Sequence, residues 1–327
     1  MSLAETLQAG WYGGKRLPWW CYPLATFYRA IVVFRRGLYR LGWLRAVRLP
    51  CPVIVVGNIT AGGTGKTPLT LALADALHVR GYRPGVVSRG YGGSERGPIL
   101  LGKASTPAEV GDEPCLIYAN AVPVAVGRDR PAAARLLLDA GCDVVIADDG
   151  LQHYRLARDI EICVVDGERR FGNARLLPAG PLREPVQRLQ QVDFRICNGG
   201  HAQADEVSMG LRGGTVRALC DGGSKSVASF AGERVHAVAA IGHPQRFFAS
   251  LAAQGVDLIP HAFPDHHAFA PEDLAFDDGL PVLMTEKDAV KCRPFAQPHW
   301  WSVPVTADLP ASFYDALWTK LQAKEHA

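Results

Sequence analysis

Six short runs of apolar, largely β-branched residues recur through the first two thirds of the chain, at 52–57, 84–88, 122–126, 143–147, 160–165 and 193–197. The stretches between them are long enough for helices, and Thr67 to Leu77 has helical spacing with no breaker after Pro68. Continuous apolar strands joined by helical crossovers predict an α/β fold with a largely parallel sheet and helices on both faces. Glycine and polar residues replace this pattern from 199 to 229. That change predicts a linker, with a hairpin around Gly213 and Gly214. A second alternating segment starts at Val235: VHAVAAIG, a helix near Gln245 to Gln254, VDLIP, PVLMT and a last helix from Ala311 to Gln322. The predicted organisation is a front segment at 1–50, a core at 51–200, the linker at 201–230 and a smaller C-terminal α/β domain at 231–327. A chain of 327 residues is long for one compact core, which agrees with two domains.

The front segment breaks the pattern. Residues 17–47, LPWWCYPLATFYRAIVVFRRGLYRLGWLRAV, mix aromatic and aliphatic groups with arginines every few positions. No acidic residue lies between Glu5 and Asp75, while Lys15, Arg16, Arg29, Arg35, Arg36, Arg40, Arg45 and Arg48 crowd the first fifty positions. A spanning helix needs ~20 mostly apolar residues, and here Pro23 and Arg29 interrupt the apolar run. The pattern predicts an amphipathic helix lying on a membrane, its apolar side at the acyl boundary and its arginines at anionic headgroups. The plainer reading is a helix packed on the domain with solvated arginines. Net charge is only +3 and no nucleic-acid motif accompanies the basic stretch, so nucleic acid is not an expected partner.

Hydrophobic content of 48% and charged content of 20% are those of a folded soluble protein. The eight cysteines are scattered, with no CxxC pair or zinc spacing, which predicts buried thiols in a reducing compartment. The late start of the apolar stretch argues against a secretory leader.

The chemistry is concentrated at GNITAGGTGKTPL, residues 57–69. Strand, glycine loop and helix in that order make a phosphate cradle, because backbone N–H groups point inward where a Cβ would crowd the phosphate oxygens. Thr60, Gly62, Gly63, Thr64, Gly65, Lys66 and Thr67 are the nucleotide-binding candidates, Lys66 reaching the terminal phosphates and Thr67 holding Mg²⁺. Thr60 stands where the P-loop pattern places its first glycine. A metal-binding carboxylate is expected at the end of a neighbouring strand, and CDVVIADDGLQH offers Asp148 and Asp149. Asp166, ending the next run, is a decoy or a supporting residue.

Eight pieces in chain order resemble one family: VGNITAGGTGKTP, SRGYGG, VGDEP, VGRDR, ADDGLQHYRLARD, LLPAGPLRE, FPDHHAF and TEKDAVK, spanning 56–291. The chain is similar to the tetraacyldisaccharide 4'-kinases of Gram-negative bacteria. The resemblance implies transfer of the ATP γ-phosphoryl group to the 4'-hydroxyl of a tetraacylated glucosamine disaccharide 1-phosphate, giving lipid IVA. It also implies a peripheral location at the cytoplasmic face of the inner membrane, with ATP and Mg²⁺ as cofactors and no obligate protein partner. The family's aspartate and histidine, which act on the acceptor hydroxyl, map to Asp112 and to His266 or its neighbour His267. Gln152, His153, Arg183 and Glu184 are candidates for the acceptor pocket, and Arg128 and Arg130 for a substrate phosphate. Surface salt bridging is the alternative for these arginines. TEKD either helps bind nucleotide or caps a helix.

One rival from another class is a membrane-cycling P-loop ATPase switch. Such switches carry a lysine directly before the two glycines, where this chain has Ala61. A GTPase would need an NKxD motif, of which TEKD is a distant echo.

Overall fold

A computed structural model describes residues 3–325. Its centre is a nine-stranded sheet built from β1 (Val53–Gly57), β2 (Pro84–Ser88), β3 (Ile99–Leu100), β4 (Val124–Val126), β5 (Val144–Asp148), β6 (Ile160–Asp166), β7 (Phe194–Asn198), β8 (Val207–Arg212) and β15 (Thr306–Asp308). The order is β15-β8-β7-β6-β1-β5-β2-β4-β3. Only the edge strands β3 and β15 pair antiparallel. All six runs predicted as strands form this sheet, and β1 lies in its interior between β5 and β6.

The central strands are apolar on both faces because both faces are covered. Ile54 and Val56 of β1 point into one core with Leu69, Leu73 and Leu77 of α3 (Lys66–Val79). Their alternates Val53 and Val55 point into the other, with Ala133 and Leu137 of α6 (Arg130–Asp139). This is the two-residue period of a strand, read out as two separate cores. Two shorter helices, α4 (Pro107–Val110) and α5 (Asp112–Ala119), follow β3.

A second sheet has the order β10-β9-β14-β13-β11-β12. Its strands are β9 (Thr215–Ala218), β10 (Ser224–Ser226), β11 (Arg234–Ala239), β12 (Asp257–Ala262), β13 (Val282–Thr285) and β14 (Trp300–Val303). Helix α7 (Pro244–Ala252) covers one face through Phe247 and Leu251, and α8 (Glu286–Cys292) the other through Ala289 and Cys292.

Two expectations need correction here. The strands flanking Gly213 and Gly214 do not pair with each other: β8 joins β7 in the first sheet, and β9 joins β14 and β10 in the second. The glycines carry the chain between sheets, and the hairpin lies further on, between β9 and β10. The last helix, α9 (Ala311–Glu325), is not part of the second layer. Phe313, Leu317 and Leu321 bury themselves in the first sheet's core, beside Phe194 and Met209.

At the front, α1 (Leu3–Tyr12) is anchored by Trp11, whose indole donates to the Pro178 carbonyl at 2.9 Å. Helix α2 (Cys21–Arg40) touches the body through Tyr28, whose hydroxyl donates to the Arg183 carbonyl at 3.1 Å. Cys21 is the residue of α2 that is buried, while Phe27 and Phe34 are 65% and 67% exposed. Among the described residues no helix is long and apolar enough to cross a membrane.

Candidate active site

The C-terminal ends of β1, β5, β6 and β7 lie side by side, and each delivers one part of the site, as expected where ligands bind an open parallel sheet. After β1 the chain turns through Gly62, with φ of +100°, and Gly65, with φ of +89°, before α3 starts at Lys66. Only glycine fits at 65: a Cβ there would meet the Asn198 amide at 2.3 Å.

Three side chains fix the loop by its carbonyls. Asn58 Nδ2 donates to Gly62 O at 3.2 Å, Arg169 Nη2 to Gly63 O at 2.6 Å, and Asn198 Nδ2 to Thr64 O at 3.0 Å. A peptide plane held at its oxygen presents its N–H on the opposite side. The amides of Gly63, Thr64 and Gly65 are thus aimed away from these anchors. Arg169 is held in turn by Asp166, the residue at the end of β6, with Nε to Oδ2 at 3.0 Å. Arg246 of α7 reaches the other oxygen of Asp166 at 2.9 Å. Asp166 is therefore a supporting residue that ties the phosphate loop to the second sheet.

Asp148 and Asp149 end β5 beside the loop. Asp148 is 1% exposed; one oxygen accepts from Thr70 at 3.5 Å and Oδ2 has no partner. Burial, then the nearby Glu113, pushes its carboxyl up to about 7. An orphaned buried carboxylate oxygen next to a phosphate loop is what a bound cation would satisfy. Among the described residues no group of three His, Cys, Asp or Glu side chains could hold a metal alone, so Mg²⁺ held here would need further ligands such as water or phosphate oxygens. Asp149 has a left-handed backbone, φ +47°. Arg183 Nη1 bonds both of its oxygens, at 3.0 and 2.9 Å, and Lys66 Nζ lies 3.5 Å away. Burial opposes ionisation of Asp149, but Lys66 and Arg183 outweigh it and hold the carboxyl well below its usual range.

Asp112, at the start of α5, and His266, after β12, come from different sheets and meet. His266 Nδ1 lies 3.1 Å from Asp112 Oδ2. His266 also takes a left-handed backbone, φ +62°, a conformation that costs of order 1–3 kcal/mol and persists only where its surroundings impose it. His267 turns elsewhere, to Asp273 at 2.9 Å, so His266 is the partner of Asp112. Burial would raise the Asp112 carboxyl, yet the His266 hydrogen bond and the charges of Lys291 and Lys287 bring it below its ordinary value. The segment that carries His266 lies close to the phosphate loop. A Cβ on Gly242, in the loop before α7, would stand 3.4 Å from Gly63 N and 3.5 Å from Oδ2 of Asp265, the residue next to His266.

The remaining candidates divide. Arg128 is exposed. Arg130 is 3% exposed, and its Nη2 donates to the Asp149 carbonyl at 3.0 Å, with Nη1 buried and unpartnered. The expectation for Glu184 changes, because it is 1% exposed and accepts from the Tyr154 hydroxyl at 2.8 Å, with Arg188 Nε 3.2 Å from its other oxygen. Gln152 donates to the Asn58 carbonyl at 2.9 Å, bracing the loop from behind. His153 is held neutral, its basicity lowered to about 4 by burial and then by Arg130 and Arg158. Thr60 is buried and bridges to Leu182, leaving the glycines to face a ligand.

TEKDAVK proves to be a capped helix. Thr285 caps α8, and Asp288, fully buried, accepts from the Ala240 amide at 2.9 Å and the Thr285 hydroxyl at 2.6 Å. The helix presents Lys287 to His266 Nε2 at 3.4 Å and Lys291 to Asp112 Oδ2 at 3.8 Å. Sequence reasoning missed both lysines, although their i, i+4 spacing on a short helix was a usable signal. Asn58, Asn198 and Arg169 were missed because carbonyl anchors leave no pattern along a chain.

The family model described as Tetraacyldisaccharide-1-P 4'-kinase matches residues 17–322. The chain is 54% identical over 324 residues to the tetraacyldisaccharide 4'-kinase of Stenotrophomonas maltophilia, covering 95% of each protein. It is 53% identical over 336 residues to that of Xanthomonas euvesicatoria, covering 98% of this chain and 97% of the relative. A crystal structure of LpxK from Aquifex aeolicus in complex with ATP superimposes with a TM-score of 0.76 at 27% identity, over 92% of this chain and 98% of that one. Nothing in these comparisons supports an ATPase switch. A phosphate loop, two strand-end aspartates and an Asp–His pair, carried by a chain matched over nearly its whole length, place this protein in the tetraacyldisaccharide 4'-kinase family.

Proposed function

We propose that this chain transfers the γ-phosphoryl group of ATP to the 4'-hydroxyl of a tetraacylated glucosamine disaccharide 1-phosphate, forming lipid IVA at the cytoplasmic face of the inner membrane. The observation that carries the mechanism is the Asp112–His266 pair, assembled from two sheets, with the neighbouring Asp265 and the phosphate loop both close to Gly242.

The loop amides of Gly63, Thr64 and Gly65 receive the phosphate oxygens, and Lys66 and Arg183 add positive charge where the transferring group develops negative charge. Asp149 holds those two cations in place. Thr67 and Asp148 would hold Mg²⁺, Asp148 being favoured over Asp149 because its Oδ2 lacks any other partner, and the ion would neutralise phosphate charge there. Asp112 takes the proton of the attacking 4'-hydroxyl. Its Oδ2 is occupied by His266, so Oδ1 is the accepting atom and His266 sets the plane of the carboxylate. The exposed apolar side of α2 rests on the bilayer that holds the acceptor.

The test is phosphoryl transfer from γ-labelled ATP to tetraacyldisaccharide 1-phosphate in detergent micelles, with Lys66→Ala as the blank. Labelled lipid that depends on Lys66 is the expected result. Free phosphate without labelled lipid would replace the kinase with an ATPase.

A further inference from the structure

The acceptor carries a second phosphate-bearing end; of the two arginines assigned to it from sequence, Arg130 is buried beneath Asp149 and Arg128 is exposed. A different place meets the requirement. A cavity of about 490 Å³ opens between the C-terminal half of α2 and the body, lined by Arg36, Tyr39, Arg40, Tyr154, Arg188 and Glu161.

Its charges do not balance. Glu161 is taken by Arg158 and Arg188, and Glu184 behind it by Arg188 and Tyr154. Those two carboxylates are matched by two arginines. Among the described residues, Arg36 and Arg40 have no carboxylate within 4.0 Å; Arg36 donates only to the neutral Gln191 amide, and Arg35 lies 5.7 Å over the Tyr154 ring. An arginine pair facing a cavity with unneutralised charge and the Tyr39 phenol beside it selects a phosphate ester, because guanidinium groups match phosphate oxygens in geometry as well as charge.

The position also fits. Tyr28 of α2 is bonded to the Arg183 carbonyl, and Arg183 grips Asp149. Arg36 and Tyr39 follow Tyr28 by eight and eleven residues, about 12 and 16 Å along the helix axis. Two sugar rings end to end bridge a span of that order. The cavity lies under the helix whose apolar side is exposed, so a lipid phosphate reaches it without leaving the membrane surface.

We infer that Arg36 and Arg40, with Tyr39, form a binding site for the phosphate of a bilayer lipid, Tyr154 forming its wall. The proposal rests on the kinase reading in taking the acceptor's own 1-phosphate as the first source. An anionic phospholipid headgroup offers the same chemistry.

The experiment is equilibrium binding of the full chain to neutral-detergent micelles doped with the acceptor bearing a 1-phosphate or a 1-hydroxyl, for wild type and Arg36→Gln/Arg40→Gln. Phosphoryl transfer is followed in parallel. Loss of two charge-assisted contacts weakens binding of the 1-phosphate acceptor about ten- to a hundredfold. Binding of the 1-hydroxyl acceptor and the KM for ATP stay the same. If both acceptors lose affinity equally, and only when the micelles also contain phosphatidylglycerol, the site stands with the headgroup as its ligand. Equal affinities of variant and wild type for every micelle overturn it. If wild type makes no labelled lipid while binding still discriminates, the kinase reading falls and the site remains.

Discussion

Replacing Asp112 by asparagine separates proton removal from every other contribution to catalysis. The amide keeps the size of the carboxylate and still accepts from His266 at the position of Oδ2, 3.1 Å away. It cannot take up the hydroxyl proton. A positioned base contributes ~10²- to 10⁴-fold, so kcat should fall by that factor. The ATP dissociation constant should change by less than about twofold, because Lys66, Asn198 and the loop amides are untouched.

The electrostatics set the pH behaviour. Lys291 Nζ is 3.8 Å from Asp112 Oδ2, which at an effective dielectric near 20 favours the carboxylate by at most about 4 kcal/mol before burial is deducted. The folded-state carboxyl lies below its ordinary value. A depressed carboxylate keeps its charge above its unfolded pKa and loses it only as pH falls through the folded one. The loss in Asp112→Asn should therefore be the same at every pH from about 5 upward, well clear of the ordinary carboxylate range. Single-turnover transfer from γ-labelled ATP across that range is the assay. A variant with kcat within about threefold of wild type would refute the assignment of Asp112 as base. A His266→Ala variant should lose less, and the double variant little more than Asp112→Asn, since the two act as a unit.

Asn198→Leu leaves the Thr64 carbonyl without its 3.0 Å donor and should weaken binding of a non-hydrolysable ATP analogue about tenfold, measured by calorimetry. Phe27→Asp/Phe34→Asp removes two exposed rings from α2 and should reduce vesicle flotation at least about a hundredfold, with far-ultraviolet dichroism unchanged. His153, lowered from 6.5 to about 4 in the fold, supports stability fully above pH 6.5, and that support is lost as pH falls towards 4. The ideal linkage is about 3 kcal/mol; partial exposure of the ring reduces it to about 1–2 kcal/mol. His153→Gln should flatten that part of a urea-denaturation profile between pH 7 and 5, and an unchanged slope would count against the buried neutral ring.

The sequence carried the central sheet plainly, because β1, β5 and β6 are apolar on both faces and no solvated segment reads that way. It carried the phosphate loop for a related reason: Gly62 and Gly65 occupy backbone conformations that other residues resist. Edge pairing was not legible. β8 and β15 are half-exposed strands that pair with each other across the whole of the inserted sheet, and local periodicity contains nothing about long-range register. Arg130 and Glu184 look like surface charges until their burial against Asp149 and Arg188 is known. Asp112 and His266 were reachable only through family resemblance, since 154 positions separate them. Lys287 and Lys291 were hidden because TEKD was read only as a nucleotide contact or a helix cap, and neither reading asks which face the helix behind the cap presents.

The second sheet is inserted between two neighbouring strands of the first. The chain leaves at the end of β8 and returns at β15, its antiparallel partner, and the two crossings touch: a Cβ on Gly213 would lie 3.4 Å from the Pro304 carbonyl. The two adjoining crossings fix the inserted sheet against drifting away or sliding along the first, so the freedom they would leave it is rotation about the line between them. Any such rotation would carry His266, Lys287 and Arg246 along the same arc. Proton acceptor geometry, charge at Asp112 and the brace on the phosphate loop are engaged or released together, as one mechanical coordinate.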